Sequence, residues 1–239
     1  METGIRNASL GDLAEMLRSQ HARKLDVIAP AARIRSENGI WVIEGTEPVL
    51  GPDGVTSADG HYRPTAVADE GIAAKLGIPQ GYLRRLRADR TDLYDANVNG
   101  WLRGWRRDRL GDVGTPDARS FLVRTFRPDD EGGEGIARAF LSDSYRIVDH
   151  FDVLTAALEG IRESGVPVEV RSTDLTDRRM YVKVHSPAVA ALAPDLLAGY
   201  RSPYSGAEGA DNPTVFAGFV LSNSETGGGA FTLVPQIVV

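Results

Sequence analysis

Three times in its second half the chain sets two short apolar runs on either side of a turn-forming stretch. Residues 120–127 (SFLVRTFR) and 135–141 (GIARAFL) flank PDDEGGE. Residues 166–172 and 179–186 form a second pair, with Met180, Val182 and Val184 alternating onto one face. Residues 214–222 and 230–239 form a third, across SNSETGGG. Short β-branched and aromatic runs bounded by Gly, Pro and Asp read as antiparallel hairpins. Helical segments lie between them: residues 149–164, which Asp149 can cap and Gly165 can stop, and residues 187–200. The pattern predicts an α+β fold with a mainly antiparallel sheet built from hairpins interleaved with helices, preceded by a helical N-terminal region.

In the first half, residues 9–24 form a helix that Ser9 can cap, with Leu10, Leu13, Met16 and Leu17 on one face. Residues 39–44 (GIWVIE) read as a strand. Residues 46–63, rich in Gly, Pro and Asp, read as a loop or hairpin tip. Residues 65–110 are mostly helical. Ile72, Ala73, Leu76 and Ile78 lead into Pro79, which stops one helix or starts the next. Tyr94, Val98, Trp101, Leu102 and Trp105 then make a stripe that places both Trp in the core. The expected division is 1–64 (helix, short strand and loop), 65–117 (helical subdomain) and 118–239 (α+β core). The end on the apolar strand PQIVV suggests that a C-terminal part of that core is missing.

At 239 residues and 42% hydrophobic content, the chain is long enough for a substantial core. Cysteine is absent, which removes disulfides, Cys-containing zinc sites and thiol nucleophiles. The N-terminal METGIRNASLGDLAEM lacks the apolar core of a signal peptide, and no run is apolar enough to span a bilayer. A cytoplasmic protein without a membrane partner is the expectation. His21, His61, His150 and His185 make no metal spacing, so no metal is expected. The residues name no cofactor.

The net charge is −6, yet residues 82–127 carry 11 Arg against 6 Asp, a local +5 that leaves −11 for the rest. Arginine dominates the basic residues, which suits bidentate phosphate recognition; a GC-rich genome biases codons the same way. Arg interleaved with exposed aromatics is a single-strand binding pattern. On that reading Arg103, Arg106, Arg107, Arg124 and Arg127 contact the phosphate backbone. The stretch AAKLGIPQGYLRRL, residues 73–86, also imitates a helix-turn-helix bearing Arg84 and Arg85, with Gly81 weakening its second helix.

Two polar clusters remain. VLSNSETGGGAF, residues 220–231, lacks the Lys and Ser/Thr of a phosphate-binding loop and continues as a strand, so a hairpin turn explains its glycines. Ser222 and Asn223 precede the tip, which leaves a functional polar corner open beside a plain hairpin. LSDSYRIVDH, residues 141–150, gathers Ser142, Asp143, Tyr145, Arg146, Asp149 and His150 at a strand-to-helix junction. A helix N-terminus attracts anions there, while capping alone needs only Asp149.

The pairing of LSDSYRIVDHFDVL with FVLSNSETGGGAF resembles the phage/plasmid-like family called domain of unknown function 932. LGIPQGYLRRL and NVNGWL look like that family's N-terminal region, so the resemblance covers roughly residues 62–239. It implies a mobile-element context and, by position, a polar site of Ser142, Asp143, Tyr145, Arg146 and Asp149 with Ser222, Asn223, Ser224 and Glu225. It implies no defined activity. Three expectations follow. One is a nucleic-acid-handling factor, single-strand binding or annealing, in which a ring-forming homo-oligomer with one basic groove reconciles the acidic remainder. The second is an enzyme of unknown reaction, with Asp143 or Glu225 as base or metal ligand, Tyr145 and Asn223 orienting substrate, and Arg146 holding an anion. The third is a structural or regulatory module in which the polar residues form a buried network.

Overall fold

A computed structural model describes residues 4–51, 54–104, 118–128, 133–212 and 216–238. The chain begins with β1 (Ile5–Ala8), α1 (Leu10–Arg23), β2 (Lys24–Pro30), β3 (Ile34–Glu37) and β4 (Ile40–Ile43). There follow β5 (Val49–Gly51), β6 (Gly54–Thr56), β7 (Gly60–Pro64) and three helices, α2 (Ala66–Leu76), α3 (Gln80–Asp89) and α4 (Thr91–Leu102). The second half carries β8 (Ser120–Phe126), β9 (Gly135–Ser142), α5 (His150–Ser164), β10 (Glu169–Leu175), β11 (Met180–His185), α6 (Pro187–Leu196), β12 (Phe216–Asn223) and β13 (Thr232–Val238). The fold is α+β, and the sheets are mostly antiparallel.

Contacts divide the chain into two compact units, Gln20–Arg146 and Met1–Ser19 with Ile147–Val239. The expected boundaries near 64 and 117 give way to this division. The reason is pairing between distant segments: β2 lies antiparallel to β8, and β7 lies parallel to β9. Strands from the first expected segment are thus built into one sheet with strands from the third.

The Gln20–Arg146 unit holds a six-stranded sheet in the order β2-β8-β9-β7-β4-β3. Its helices pack on it through a core that includes Trp41, Ile72, Leu83, Tyr94, Val98, Phe121 and Phe140. Burying each such large side chain stabilises by about 1.5–3 kcal/mol. Trp41 meets Phe140 edge-on with ring centroids 5.5 Å apart. Helix α2 starts where the Thr65 side chain accepts from Ala68 N, a 3.2 Å cap. It approaches β9 so closely that a Cβ at Gly71 would sit 2.6 Å from the Phe140 carbonyl oxygen. A buried polar network ties the helices to β4. Trp41 Nε1 donates to the Tyr94 hydroxyl (2.9 Å), which donates to Asp69 Oδ1 (2.7 Å). Arg87 pairs with Asp69, donates to the Gly39 carbonyl (2.6 Å) and lies 3.9 Å over the Tyr94 ring. Burial pushes the Asp69 carboxyl up from its ordinary range, against the opposing pull of Arg87.

The other unit holds a five-stranded antiparallel sheet in the order β1-β10-β11-β12-β13. Ser9 caps α1 reciprocally. Asp12 N donates to Ser9 Oγ (3.1 Å), and Ser9 N donates to Asp12 Oδ2 (3.2 Å). Leu13 and Leu17 then pack with Val153 and Leu154 of α5 and with Leu175, Met180, Val182, Val184 and Leu221. The expected alternation of Met180, Val182 and Val184 is observed, all three buried. Gly165, at φ 65, ends α5 in the left-handed conformation that its sequence position suggests. β13 is an edge of this sheet, with Leu233 and Val234 exposed. Residues 46–63, expected as a loop or hairpin tip, hold the β5–β6 ribbon and also β7, a strand of the larger sheet.

Candidate functional site

The turn between β12 and β13 accounts for each polar residue of SNSETGGG in turn. Ser222 faces Thr232 across the hairpin, with the two hydroxyl oxygens 2.7 Å apart. Ser224 Oγ donates to the Arg178 carbonyl (2.7 Å) and accepts from Gly228 N (2.9 Å). Thr226 Oγ1 donates to the Asp177 carbonyl (3.1 Å), and Arg179 donates to the Gly228 carbonyl (2.5 Å). These bonds fasten this turn to the neighbouring β10–β11 turn. Gly227 and Gly229 take φ values of 86° and 140°, which other residues rarely adopt.

Asn223 and Glu225 do something different: they reach the start of α5. Asn223 Nδ2 lies 2.9 Å from the Val148 carbonyl and 3.0 Å from His150 Nδ1. A carbonyl only accepts, so the amide nitrogen faces it. The second amide hydrogen then points to Nδ1, which must accept. Glu225 Oε2 accepts from the His150 backbone N–H at 3.0 Å, and this is the first amide of the helix. A carboxylate at that end suits the positive pole of the helix. Asp149 occupies the N-cap position as expected, but its side chain makes no capping bond. Glu225, brought from 75 residues away, supplies the oxygen at the first amide instead. Asn223 is 1% exposed, and its Oδ1 has no hydrogen-bond partner.

Of the other residues in the expected polar site, Ser142 ends β9 and accepts through its carbonyl from Tyr145 N at 3.0 Å, closing a turn. Asp143 and Arg146 are exposed, and Tyr145 is half-buried. Ser142, Asp143, Tyr145 and Arg146 belong to the Gln20–Arg146 unit, whereas Asp149, Ser222, Asn223, Ser224 and Glu225 belong to the other. Within that second unit the structure brings Val148 and His150 together with Asn223 and Glu225. Sequence reasoning placed His150 in the polar cluster but proposed no site for it. Its position immediately after the N-cap was the available signal.

No family model, curated protein or solved structure matches the chain. Among the described residues, no group of three or more His, Cys, Asp and Glu side chains is placed to hold a metal ion. No helix among them is long and apolar enough to cross a membrane.

The arginines separate sharply. Arg124 is 0% exposed and sits opposite Asp26 in the β2–β8 register, with Nη2 2.9 Å from Asp26 Oδ2. The expectation that Arg124 contacts a phosphate backbone is corrected by this burial: the guanidinium neutralises a carboxylate inside the fold. Arg127 is half-buried at the end of β8, and its backbone N–H donates to the Arg23 carbonyl (2.8 Å). Arg103 is exposed and has no ion-pair partner among the described residues. Arg106 and Arg107, like Trp105, lie outside the described residues. Trp101, expected in the core with Trp105, is 47% exposed. Helix α4 buries Tyr94, Val98 and Leu102. At 100° per residue Trp101 falls on the margin of that face, where a stripe drawn from spacing alone overreaches.

The α2–α3 pair has the expected outline of two helices around a left-handed Gly77, at φ 71. Leu83 and Leu86 face the core while Tyr82, Arg84 and Arg85 are exposed. Gly81 is the second residue of α3, at the helix start.

Proposed function

We propose that this chain is a nucleic-acid-handling factor of a phage or plasmid, binding a phosphate backbone through the outer face of α3 and α4. One observation carries the reading. The carboxylates of these helices and their surroundings are each paired, Asp89 with Arg85 and Asp92 with Arg90 at the surface, and two arginines and two aromatic rings stay exposed beside them. Asp69 holds Arg87, Asp92 holds Arg90 through two bonds of 2.9 and 2.7 Å, and Asp95 accepts from Ser36 Oγ and Gly39 N. Arg84, Tyr82 and Trp101 stay exposed on the same two helices, as does Arg103 immediately after α4. Cations track phosphates and aromatic rings stack on bases. The acidic remainder of the chain confines nucleic acid to this face. The resemblance to the phage/plasmid-like family supports the mobile-element context, and assembly into a homo-oligomer would set several such faces side by side.

On the same reading the polar corner is scaffold. Ser222, Ser224 and Thr226 fasten two turns, and Asn223 and Glu225 fix the first turn of α5. Fluorescence anisotropy with labelled oligonucleotides over a salt series tests the proposal. Affinity that falls steeply with salt is expected. Absence of binding at low salt by the folded protein overturns it.

A further inference from the structure

Helix α4 carries a feature that phosphate contacts alone do not use. Ala96, Asn97, Gly100 and Trp101 line an open groove of about 340 Å³ on its outer side. Ala96 and Gly100 are one turn apart and form a low floor. Asn97 and Trp101, also one turn apart, form a wall beside it. A Cβ built at Gly100 meets nothing within 4 Å. No internal packing therefore requires glycine there, in the last turns of a helix where it weakens helicity. The missing side chain leaves the floor of the groove low beside Trp101. Asn97 Nδ2 is tied to the Leu93 carbonyl at 2.8 Å, which holds the side chain in place on the wall. Arg103 follows three residues after Gly100 and seven after Ala96, so it continues the same strip of the helix surface. The α4 carboxylates at Asp92 and Asp95 are both occupied by their own partners.

We infer that this groove is a stacking site for a single unpaired nucleobase, with the base against the Trp101 indole and the neighbouring phosphate at Arg103. The inference rests on the nucleic-acid reading above and makes it more specific, since a base inside a duplex cannot present its face to an indole. Occupancy by single-stranded nucleic acid follows from the combination of a half-exposed aromatic wall, a floor of one methyl group and one glycine, and a cation with no ion-pair partner among the described residues.

The test uses the full chain with an oligothymidylate, a duplex of equal length, and three variants. Gly100→Leu fills the floor while favouring the helix, so it leaves folding intact, as circular dichroism checks. Trp101→Ala removes the stacking surface and Trp101→Phe retains one. The expected result is preference for the single strand with quenching of tryptophan fluorescence. Gly100→Leu and Trp101→Ala should each weaken binding by about five- to hundredfold, the range of one base–aromatic stack. Trp101→Phe should recover most of the loss. If single strands bind wild type and both disruptive variants equally by anisotropy, the stacking site is overturned while backbone binding stands. Equal binding of duplex and single strand, unaffected by Gly100→Leu, overturns it in the same way. If wild type binds neither, both proposals fall.

Discussion

The two units bury their polar groups by different chemistry. In Gln20–Arg146, buried polarity includes two ion pairs. Arg124 neutralises Asp26 across two strands, and Arg87 neutralises Asp69 between two helices. In the other unit, the buried corner of Asn223, His150 and Glu225 includes hydrogen bonds to the Val148 carbonyl, to the His150 backbone N–H and between Asn223 and the His150 ring. An ion pair loses heavily when one partner is removed, because the remaining charge stays buried. A lost cap leaves a neutral backbone amide rather than a charge, which costs less. The contrast teaches that motif residues and scaffold residues cannot be told apart by charge. The most conspicuous arginine of the basic stretch is structural, and the glutamate of the most conspicuous loop is a helix cap.

The largest expected effect breaks the ionic side of the contrast. Arg124→Met and Arg87→Met should each destabilise by about 3–5 kcal/mol in urea unfolding. Pairing the second with Asp69→Asn should restore part of the loss, because the unpaired charge is then gone. An effect below that of an ordinary surface substitution at both positions would remove the distinction between the units.

Glu225→Ala should cost less, about 1–2 kcal/mol, the range of a lost helix cap. Its signature is local, namely faster amide hydrogen exchange in the first turn of α5. Glu225→Gln, which keeps an acceptor oxygen, should leave most of that protection.

Acidity sharpens the comparison further. Burial holds the Asp69 carboxyl above its ordinary value of 3.8. The folded chain therefore keeps a proton there in a window where the unfolded chain has released it. Stability from this group is fully present below 3.8 and is lost as pH rises through the folded value. Exposed Glu44 behaves oppositely. Its bond to Arg35 holds its carboxyl below the ordinary value, so its contribution is lost as pH falls through that lowered value. Denaturation of wild type and Asp69→Asn across this range should show wild type gaining on the variant as pH falls.

The smallest effect is a gain. Gly100→Ala should stabilise by up to about 1 kcal/mol, because the added methyl meets nothing and the helix propensity improves. A thermal melt that moves downward would mean that the glycine has a packing role.

Much of this architecture was legible in the chain. The three hairpins, the α1 cap at Ser9, the α5 stop at Gly165 and the helices around Pro79 follow from local chemistry, in which each residue's preference is satisfied by neighbours a few positions away. Strands β1, β2, β3 and β7 were not legible. They are short, and β2 carries Lys24, Asp26 and Pro30 among its apolar residues, so its strand character depends on pairing with β8 almost a hundred residues later.

The site divides along the same line. The sequence singled out Asn223 and Glu225 as polar residues before a turn and residues 149–164 as a capped helix, but it did not connect the two. Periodicity also located the α4 stripe. Only the tertiary structure decided that Glu225 rather than Asp149 supplies the oxygen at the first amide of α5, that Arg124 is buried against Asp26, and that Trp101 stands at the margin of its helix rather than in the core. The physical reason is common to all three. Local sequence sets what a backbone segment prefers, whereas burial, charge pairing and capping by a distant side chain depend on which segments the folded chain lays against one another.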